Sequence, residues 1–435
     1  MRRPTGALSI CTSLALLLAL ASAAEAMQAV ADSVEKGDLL EKLQREDSEF
    51  FDPDLLEFDT TFRDSVIAAL DSLGLETFKK QAGQRQFRLG LSYDLATRLW
   101  NYNRVEGLVL ASGLNWKPWG EDHLWLQLQG AYATGSKKFR HHEMLRFPVG
   151  RDRWHLHARF HYQDRVQAYG SNRPTLNSVR AFVGGEDAQV YLRRQGGAGI
   201  VGWEPIRFFE LTAGYAAGKE TSVEATTGFS IFGHLDEFNP AIEEGTDRAV
   251  VAGIRLGSLH RHRFRLDIDH RTAGGGLGGD FKYDWTQATF TGRRYVGRQE
   301  FVLDLLWVSI GGEAPVQRLA DVGGLSTVRG YKPRTQVGNQ SFASRLEYLV
   351  PYNFFKATRV PLLRHSELQV VPWWDIGRTW QGNGTAWIQS AGAGLQRFLG
   401  PFRAASYLRF DFIFPIGPDR PSNFRFEIHF TRGLF

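Results

Sequence analysis

The feature of this chain that most constrains its fold is a strict alternation of apolar and polar residues, repeated along most of its length. In residues 261–271, Phe264, Leu266 and Ile268 alternate with arginine and aspartate, and residues 403–416 and 424–431 follow the same pattern. Successive side chains of a β-strand point to opposite faces, so each segment predicts a strand with one apolar and one polar face. A helix cannot separate the two kinds of side chain in this way.

Segments of this kind follow one another from residue 104 to residue 435 and predict fifteen strands. They cover 104–117, 122–134, 137–149, 152–165, 189–203, 205–217, 247–258, 260–271, 281–292, 297–310, 339–351, 365–378, 386–398, 403–414 and 423–435. Bacterial single-chain barrels normally have an even number of strands. We therefore expect sixteen strands, with residues 223–235 or 87–96 supplying the missing one.

Two architectures can use such strands, a soluble β-sandwich and a transmembrane β-barrel. A soluble sheet protein of this length would ordinarily divide into domains joined by linkers, and the sequence shows no linker after residue 104. Aromatic residues make up 13% of the chain, which contains 12 tryptophans. A membrane barrel accounts for both observations, because only alternate residues face lipid and aromatic girdles lie at the two interfaces. We predict an all-β fold, a transmembrane antiparallel β-barrel.

Residues 1–26 have the order of a cleaved secretory signal peptide. Arg2 and Arg3 precede an apolar run over residues 14–21, and a small-residue stretch ends at Ala26. Cleavage after Ala26 would remove Cys11, the only cysteine of the sequence, and would exclude disulfides, a cysteine nucleophile and a thiolate metal site. Export combined with a barrel predicts the outer membrane of a Gram-negative-type cell as the location.

Residues 27–103 are predicted to form a periplasmic or plug-like segment before a barrel that covers 104–435. Between residues 32 and 76 the sequence has fourteen acidic and four basic residues, and leucines recur at helical spacing on both sides of Pro53. This pattern predicts two short amphipathic helices. They form either a loosely ordered leader or a helix docked in or under the barrel mouth, where acidic side chains could meet lumenal arginines.

Two short motifs lie in the last third of the chain. Residues 328–331 read VRGY between two predicted strands, and residues 373–377 read WWDIG inside a strand. Together they resemble the signature motifs of the bacterial surface-antigen superfamily, which comprises BamA/TamA-like insertases and two-partner secretion transporters. The resemblance covers residues 102–435, and five predicted strands follow the first motif, as in the family.

The resemblance implies a role for each motif. In the family, the tip of a long extracellular loop folds back into the lumen, and its arginine pairs with an aspartate of the inner barrel wall. The implied inner-loop motif is Val328, Arg329, Gly330 and Tyr331, and its implied lumenal partners are Asp375 and Gly377. The alternative is that Arg329 is a solvated arginine on an outside loop.

Strand parity gives an independent test of the position of Asp375. If Asp375 points inward, Trp373 does too, and the opposite face of the strand is wholly apolar and suited to lipid. That opposite face consists of Leu368, Val370, Pro372, Trp374 and Ile376.

The sequence departs from the family in two respects. Family insertases carry periplasmic POTRA modules that receive clients by strand addition, and residues 27–85 have neither the length nor the strand pattern of one. The predicted C-terminal strand signal consists of Phe426, Ile428, Phe430 and Phe435. Phe430 and Phe435 fall on opposite parities, which predicts either a bulge near Gly433 or an exit from the strand.

The sequence has no serine-hydrolase, phosphate-loop or H-E-x-x-H motif. His155, His157 and His161 share one face of a predicted strand, and we interpret them as lumenal polar residues, with a metal site as the alternative. We therefore predict no enzyme activity, no cofactor and no metal. Lysine and arginine (52) only slightly outnumber aspartate and glutamate (47), which favours contact with lipid head groups over nucleic acid.

The resemblance implies a barrel that acts in inserting or translocating polypeptide or lipid at the outer membrane. The expected partners are outer-membrane lipid, together with unfolded outer-membrane proteins or periplasmic factors, and no nucleic acid. The alternative function is a passive pore or structural barrel that is plugged by its long inner loop.

Overall fold

The structure is a computed structural model that describes residues 88–91, 100–117, 124–149, 155–170, 177–178, 180–206, 208–235, 238–259, 263–297, 299–350, 368–383, 386–398, 406–417 and 420–432. The predicted signal peptide, residues 27–87, Gly433 and Phe435 lie outside the described residues.

The described part of the chain forms eighteen strands. They are β1 (Arg88–Leu91), β2 (Trp100–Asn103), β3 (Gly107–Lys117), β4 (Trp125–Ala133), β5 (Lys138–Pro148), β6 (Leu156–Tyr169), β7 (Val190–Ile206), β8 (Phe209–Ser222), β9 (Gly245–Ser258), β10 (Phe264–Ala273), β11 (Lys282–Val296), β12 (Gln299–Glu313), β13 (Ala320–Val322), β14 (Gln336–Leu349), β15 (Gln369–Gly382), β16 (Ile388–Phe398), β17 (Ser406–Ile416) and β18 (Arg425–Arg432). Short helical turns cover Arg180–Gly184, Gly275–Leu277 and Val316–Arg318.

Consecutive strands from β3 to β12 pair antiparallel, and the series continues from β12 to β14 and on to β18. The short strand β13 adds to one end of β14. All fifteen predicted strands are therefore present, and the predicted all-β antiparallel fold is confirmed. Within the described residues the ladders do not close the sheet into a complete ring.

The sixteenth strand position is divided between two short strands. Both β1 and β2 pair with the edge of β3 that faces away from β4. β1 pairs at Leu114–Lys117 and β2 pairs at Gly107–Leu110. Residues 87–96 therefore do contribute a strand, as one of the two alternatives predicted. The sheet thus also includes Arg88–Leu91 and Trp100–Asn103, which precede residue 104 in the chain.

The other candidate for the missing strand, residues 223–235, is not a wall strand. Apart from one isolated bridge between Phe229 and His234, its backbone donors find partners in other loops. The N–H groups of Thr226 and Thr227 donate to the carbonyl oxygen of Arg104, and that of Ile231 donates to Phe182. The alternation in this segment therefore belongs to a loop that packs on neighbouring loops.

The two faces of the sheet differ as the alternation predicts. On β15, Trp374 is 44% exposed, whereas its neighbours Trp373 and Asp375 are 4% and 0% exposed. The same contrast holds on β17, where Phe412 and Phe414 are exposed and Asp411 is buried. We call the face with Asp375 the inner face and the face with Trp374 the outer face, which suits contact with lipid.

Three of the four longest connections lie at one end of the sheet, which we call the loop end. It carries the β6–β7, β8–β9 and β12–β14 connections together with the short β2–β3 and β4–β5 turns. In bacterial barrels the longer loops face the cell exterior, so we expect the loop end to be extracellular. No helix in the described ranges is both long enough and apolar enough to span a membrane.

Candidate functional site: an inner loop fixed to the barrel wall

The connection between β12 and β14, which we call the inner loop, folds back against the inner face of the sheet. It contains the turn Val316–Arg318, the strand β13 and the predicted motif at residues 328–331. Val328, Arg329 and Tyr331 are almost fully buried. The motif is therefore not on a solvated outside loop, which was the alternative considered from the sequence.

Arg329 forms a two-pronged ion pair with Asp375 of β15. Its Nε lies 2.7 Å from Asp375 Oδ2, and its Nη2 lies 2.7 Å from Oδ1. The backbone N–H of Arg329 donates to the same carboxylate at 3.1 Å. A planar guanidinium suits this geometry because it presents two parallel donors to a carboxylate. The pair that the two motifs predict is present.

The same guanidinium contacts two further strands. Nη1 of Arg329 lies 2.8 Å from Glu347 Oε1 on β14 and 3.5 Å from Asp411 Oδ2 on β17. The guanidinium carbon lies 3.7 Å from the ring centroid of Trp373, a cation–π distance. One loop residue therefore joins three wall strands, β14, β15 and β17.

A second arginine completes this cluster, which we call the arginine lock. Arg409 of β17 donates to Asp411 at 2.8 Å and to Glu347 at 2.9 Å, while the indole N–H of Trp373 donates to Asp411 at 3.1 Å. Arg345 adds weaker contacts at 3.4 Å to Glu347 and 3.9 Å to Asp375. Three arginines thus face three carboxylates, so that their formal charges balance. The members are Arg329, Arg345, Arg409, Glu347, Asp375 and Asp411.

Balanced charge matters because the lock is removed from water. Burial by itself lowers the pKa of Arg329, but Asp375, Glu347 and Asp411 outweigh that effect and raise this pKa above its usual range. Arg329 therefore stays protonated in its buried position. A buried charge without such partners would be strongly unfavourable.

The neighbours of Arg329 in the motif fit the surrounding wall closely. Val328 packs in a buried cluster with Val322, Tyr331 and Ile388, and the Tyr331 hydroxyl donates to the carbonyl oxygen of Ile416 at 3.0 Å. A Cβ at position 377 would lie 2.7 Å from Val322 Cγ1 and 3.1 Å from Val328 Cγ2. Glycine at position 377 thus makes room for the loop.

Gly330 is required by both its conformation and its surroundings. Its φ of 83° lies in the left-handed region, which side chains with a Cβ rarely adopt. A Cβ at this position would approach Ile413 Cγ2 to 2.6 Å. The carbonyl oxygen of Gly330 accepts a hydrogen bond of 3.2 Å from Arg425 on β18.

Another arginine, at the beginning of the inner loop, binds a different part of the wall. Arg318 lies 2.8 Å from Asp247 of β9, donates to the Tyr283 hydroxyl of β11 at 3.2 Å, and also pairs with Glu220 of β8. Arg271 of β10 pairs with the same Asp247 at 2.7 Å. We call this group the second anchor.

The pKa of Arg318 follows the same reasoning as that of Arg329. Burial lowers the pKa of the guanidinium, but Glu220, Tyr283 and Asp247 raise it by more, so that its pKa lies above the usual range. Arg318 is therefore charged. The inner loop is held at two separate wall regions, by the buried Arg329 and by the partly buried Arg318.

The predicted C-terminal strand signal is present only in part within the described residues. Phe426 is exposed on the outer face and its ring lies 5.4 Å from that of Phe412. Ile428 and Phe430 lie in β18, but their side chains, like the whole of Phe435, are outside the described part of the chain. The choice between a bulge and a strand exit at Gly433 thus stays a prediction.

Sequence motifs did not identify Glu347, Arg409, Asp411 or Arg318. The first three lie on inward positions of alternating strands, so parity identifies their face but not their partners. Strand register places these residues near one another. Arg345 of β14 pairs with Asp375 of β15, and Asp411 of β17 pairs with Gly394 of β16. Arg318 lies in an irregular loop segment with no motif around it.

Comparison with known proteins rests on structure alone, since no family model and no curated protein sequence matches this chain. The fold is similar to that of BamA from Haemophilus ducreyi lacking POTRA domains 1–3, with a TM-score of 0.52 and 16% identity over 80% of this chain and 70% of that one. CdiB from Acinetobacter baumannii gives a TM-score of 0.42 and 13% identity over 76% of this chain and 57% of that one. OccK10 from Pseudomonas aeruginosa gives a TM-score of 0.35 and 13% identity over 79% of this chain and 94% of that one.

The similarity to BamA concerns the fold, because so low an identity carries no residue roles with it. It agrees with the two-faced sheet, whose outer side chains are apolar and whose inner side chains are charged. The protein has the fold of an outer-membrane β-barrel.

Proposed function

We propose that this protein acts in the insertion or translocation of polypeptide, or of lipid, at the outer membrane. The observation that carries the proposal is the arginine lock, in which the tip of the inner loop is fixed to three wall strands through Arg329. That arrangement is the one implied by the resemblance of residues 328–331 and 373–377 to the surface-antigen superfamily.

The edges of the sheet provide a physical means for such an activity. β2 and β18 are the two ends of the strand series at the loop end, and an edge strand has unpaired backbone groups that can template another strand. A client strand could pair with such an edge while it enters the membrane. This mechanism exchanges backbone hydrogen bonds and requires no nucleophile, metal or cofactor.

The partners that fit this function are outer-membrane lipid and unfolded outer-membrane proteins or periplasmic factors. The outer face supplies the lipid contact, since it displays Leu110, Phe160, Trp374 and Phe414. We propose no nucleic-acid partner and no enzyme activity. The outer membrane is the proposed site of action, reached by export with a cleaved signal peptide.

One observation favours a second candidate, a passive barrel plugged by its inner loop. The lock joins the loop to β14, β15 and β17, whereas the second anchor joins it to β8, β9 and β11. A loop held at two distant wall regions crosses the inner face and could obstruct a lumen. A plug of this kind would act without any client.

Reconstitution separates the two candidates. Vesicles that contain the purified protein should accelerate the folding of a urea-unfolded outer-membrane protein, relative to vesicles without it. Arg329→Ala should reduce this acceleration, whereas Arg420→Ala, which changes an exposed arginine at the loop end, should not. No acceleration by the wild-type protein, together with increased conductance after removal of residues 314–335, would overturn insertion and favour the plugged barrel.

A further inference from the structure

The loop between β6 and β7 reaches both ends of the strand series. On one side, the Ser178 hydroxyl contacts the Asn101 side chain of β2, and Asp187 accepts a 2.9 Å hydrogen bond from the backbone N–H of Arg104. On the other side, Glu186 lies 4.0 Å from Arg425 of β18. Ser178 and residues 180–187 therefore lie between β2 and β18 at the loop end.

This loop passes from the inner face of β2 to its outer face. Asn101 has inner parity, since it pairs with the buried Val109 of β3, while Tyr102 pairs with Leu108 and shares the face of the exposed Leu110. The Phe182 ring packs edge-on against Tyr102 at 5.1 Å. Phe182 is thus on the side of the wall that faces lipid.

The β8–β9 loop joins the same assembly on the outer face. Tyr102 donates a 2.6 Å hydrogen bond to the carbonyl oxygen of Phe229, and the Ile231 and Phe232 N–H groups donate to Phe182 and Val183. Tyr102, Ala181 and Leu235 form a buried cluster against which Leu108 packs. Two loops therefore cover the outer face of β2 and β3 next to the edge of the sheet.

The outermost side chains of this assembly are apolar and exposed. Phe232 is 82% exposed and Phe229 60%, with Ile231 and Val183 exposed beside them. We call these four residues the loop patch. A contiguous exposed apolar patch of this kind marks an interaction site. The buried cluster beside it packs against Leu108, which shares its face of β3 with the exposed Leu110 of the lipid-facing wall.

We propose that the loop patch inserts among the acyl chains of the outer leaflet, so that two loops anchor the barrel in lipid beside the gap between β2 and β18. Lipid is the partner that fits, because the patch lies beside a surface already facing the membrane and aromatic side chains concentrate at membrane interfaces. The proposal rests on the barrel fold and goes beyond the insertion function, which could fail without affecting it.

Single labelled cysteines test this directly in the full chain carrying Cys11→Ser, reconstituted into phosphatidylcholine vesicles. An environment-sensitive fluorophore is attached at Phe232→Cys, at Leu110→Cys on the lipid-facing wall, and at Gly276→Cys in the exposed β10–β11 loop. Quenching is then measured with brominated phosphatidylcholine and with aqueous iodide. Heat-modifiable mobility shows that each variant is folded, and Phe229→Cys serves as a second patch position.

The loop patch should lose fluorescence to brominated lipid as strongly as Leu110→Cys, with a blue-shifted emission and little loss to iodide. Gly276→Cys should show the reverse. Quenching of both patch positions by iodide and not by brominated lipid would overturn the proposal, since the patch would then face water. Protection from both quenchers would overturn it as well, because protein would then cover the patch.

Discussion

At the scale of single residues, Arg329 combines several kinds of contact. It is fully buried, contacts three carboxylates and lies on the ring of Trp373. A buried ion pair is not by itself strong evidence for stability, because desolvation offsets much of the attraction. Its geometry is specific, however, since one guanidinium bonds Asp375 twice and also reaches Glu347 and Asp411.

The first prediction concerns reversal of the charges in the pair. Arg329→Glu and Asp375→Arg should each release the loop tip, because breaking one member of a buried pair typically costs about 3–5 kcal/mol. Proteinase K added to intact cells should then cleave within residues 312–335, where the wild-type chain resists.

The double charge reversal should restore protection only in part. Glu347 and Asp411 would still face the carboxylate introduced at position 329 and would repel it. Arg329→Lys is the matched conservative change, which keeps the charge but loses the two-pronged bond and should give intermediate cleavage. Wild-type resistance in both single reversals would show that this pair does not hold the loop.

The second prediction concerns the left-handed glycine of the loop tip. Gly330→Ala should loosen the loop tip, because its φ is 83° and the added Cβ would approach Ile413 to 2.6 Å. Gly297→Ala changes a glycine with a φ of 63° and no atom near its Cβ position in the β11–β12 turn, and it should leave the loop tip protected. Both variants are tested by the same proteolysis, and wild-type protection in Gly330→Ala would show that the tip accepts a side chain at position 330.

The residues of the lock were only partly predictable from the sequence. Arg329 and Asp375 stand in two recognisable motifs, and the apolar opposite face of the strand agrees with an inward position for Asp375. Glu347, Arg409 and Asp411 have equally clear parity, but whether they meet depends on the stagger of four strands, β14 to β17. Stagger arises from the closure and tilt of the whole sheet, which no local pattern encodes.

At the scale of elements, the inner loop is attached to the inner face of the sheet at two places, the arginine lock and the second anchor. The lock holds its tip and the second anchor holds its beginning, while Arg334 lies 5.1 Å from the ring centroid of Tyr169 on β6. Each attachment uses one arginine that faces at least two acidic groups of the wall. The two attachments share no residue, so they should respond independently to substitution.

The third prediction uses this independence. Arg318→Ala should expose residues 314–322 to protease while residues 328–331 stay protected, because Glu220 and Asp247 lose their shared cation but Arg329 keeps all of its partners. Cleavage sites are located by mass spectrometry of the fragments. Arg293→Ala serves as a control, since Arg293 pairs with Glu300 on β11 and β12, away from the loop. Simultaneous release of the tip would show that the attachments are coupled.

At the scale of the whole molecule, the periodicity of the sequence predicted the wall strands better than it predicted the loop segments and the first edge of the sheet. All fifteen wall strands follow from alternation, because a strand between lipid and a polar lumen must alternate. Residues 223–235 alternate as well, but the loop end supplies other partners for their backbone groups. The strand position before β3 was predicted only as one of two alternatives, because two four-residue strands, β1 and β2, fill it, and these are too short to show a pattern.

Electrophoresis of the wild-type protein from fractionated cells tests the central claim, an outer-membrane β-barrel, most directly. The protein should be recovered in the outer-membrane fraction, and unboiled samples should migrate faster than boiled ones, because a folded barrel stays compact in detergent. The reason is its antiparallel ladder from β3 to β18, in which backbone groups pair between strands. Identical mobility of boiled and unboiled samples, together with recovery in the soluble periplasm, would contradict the account.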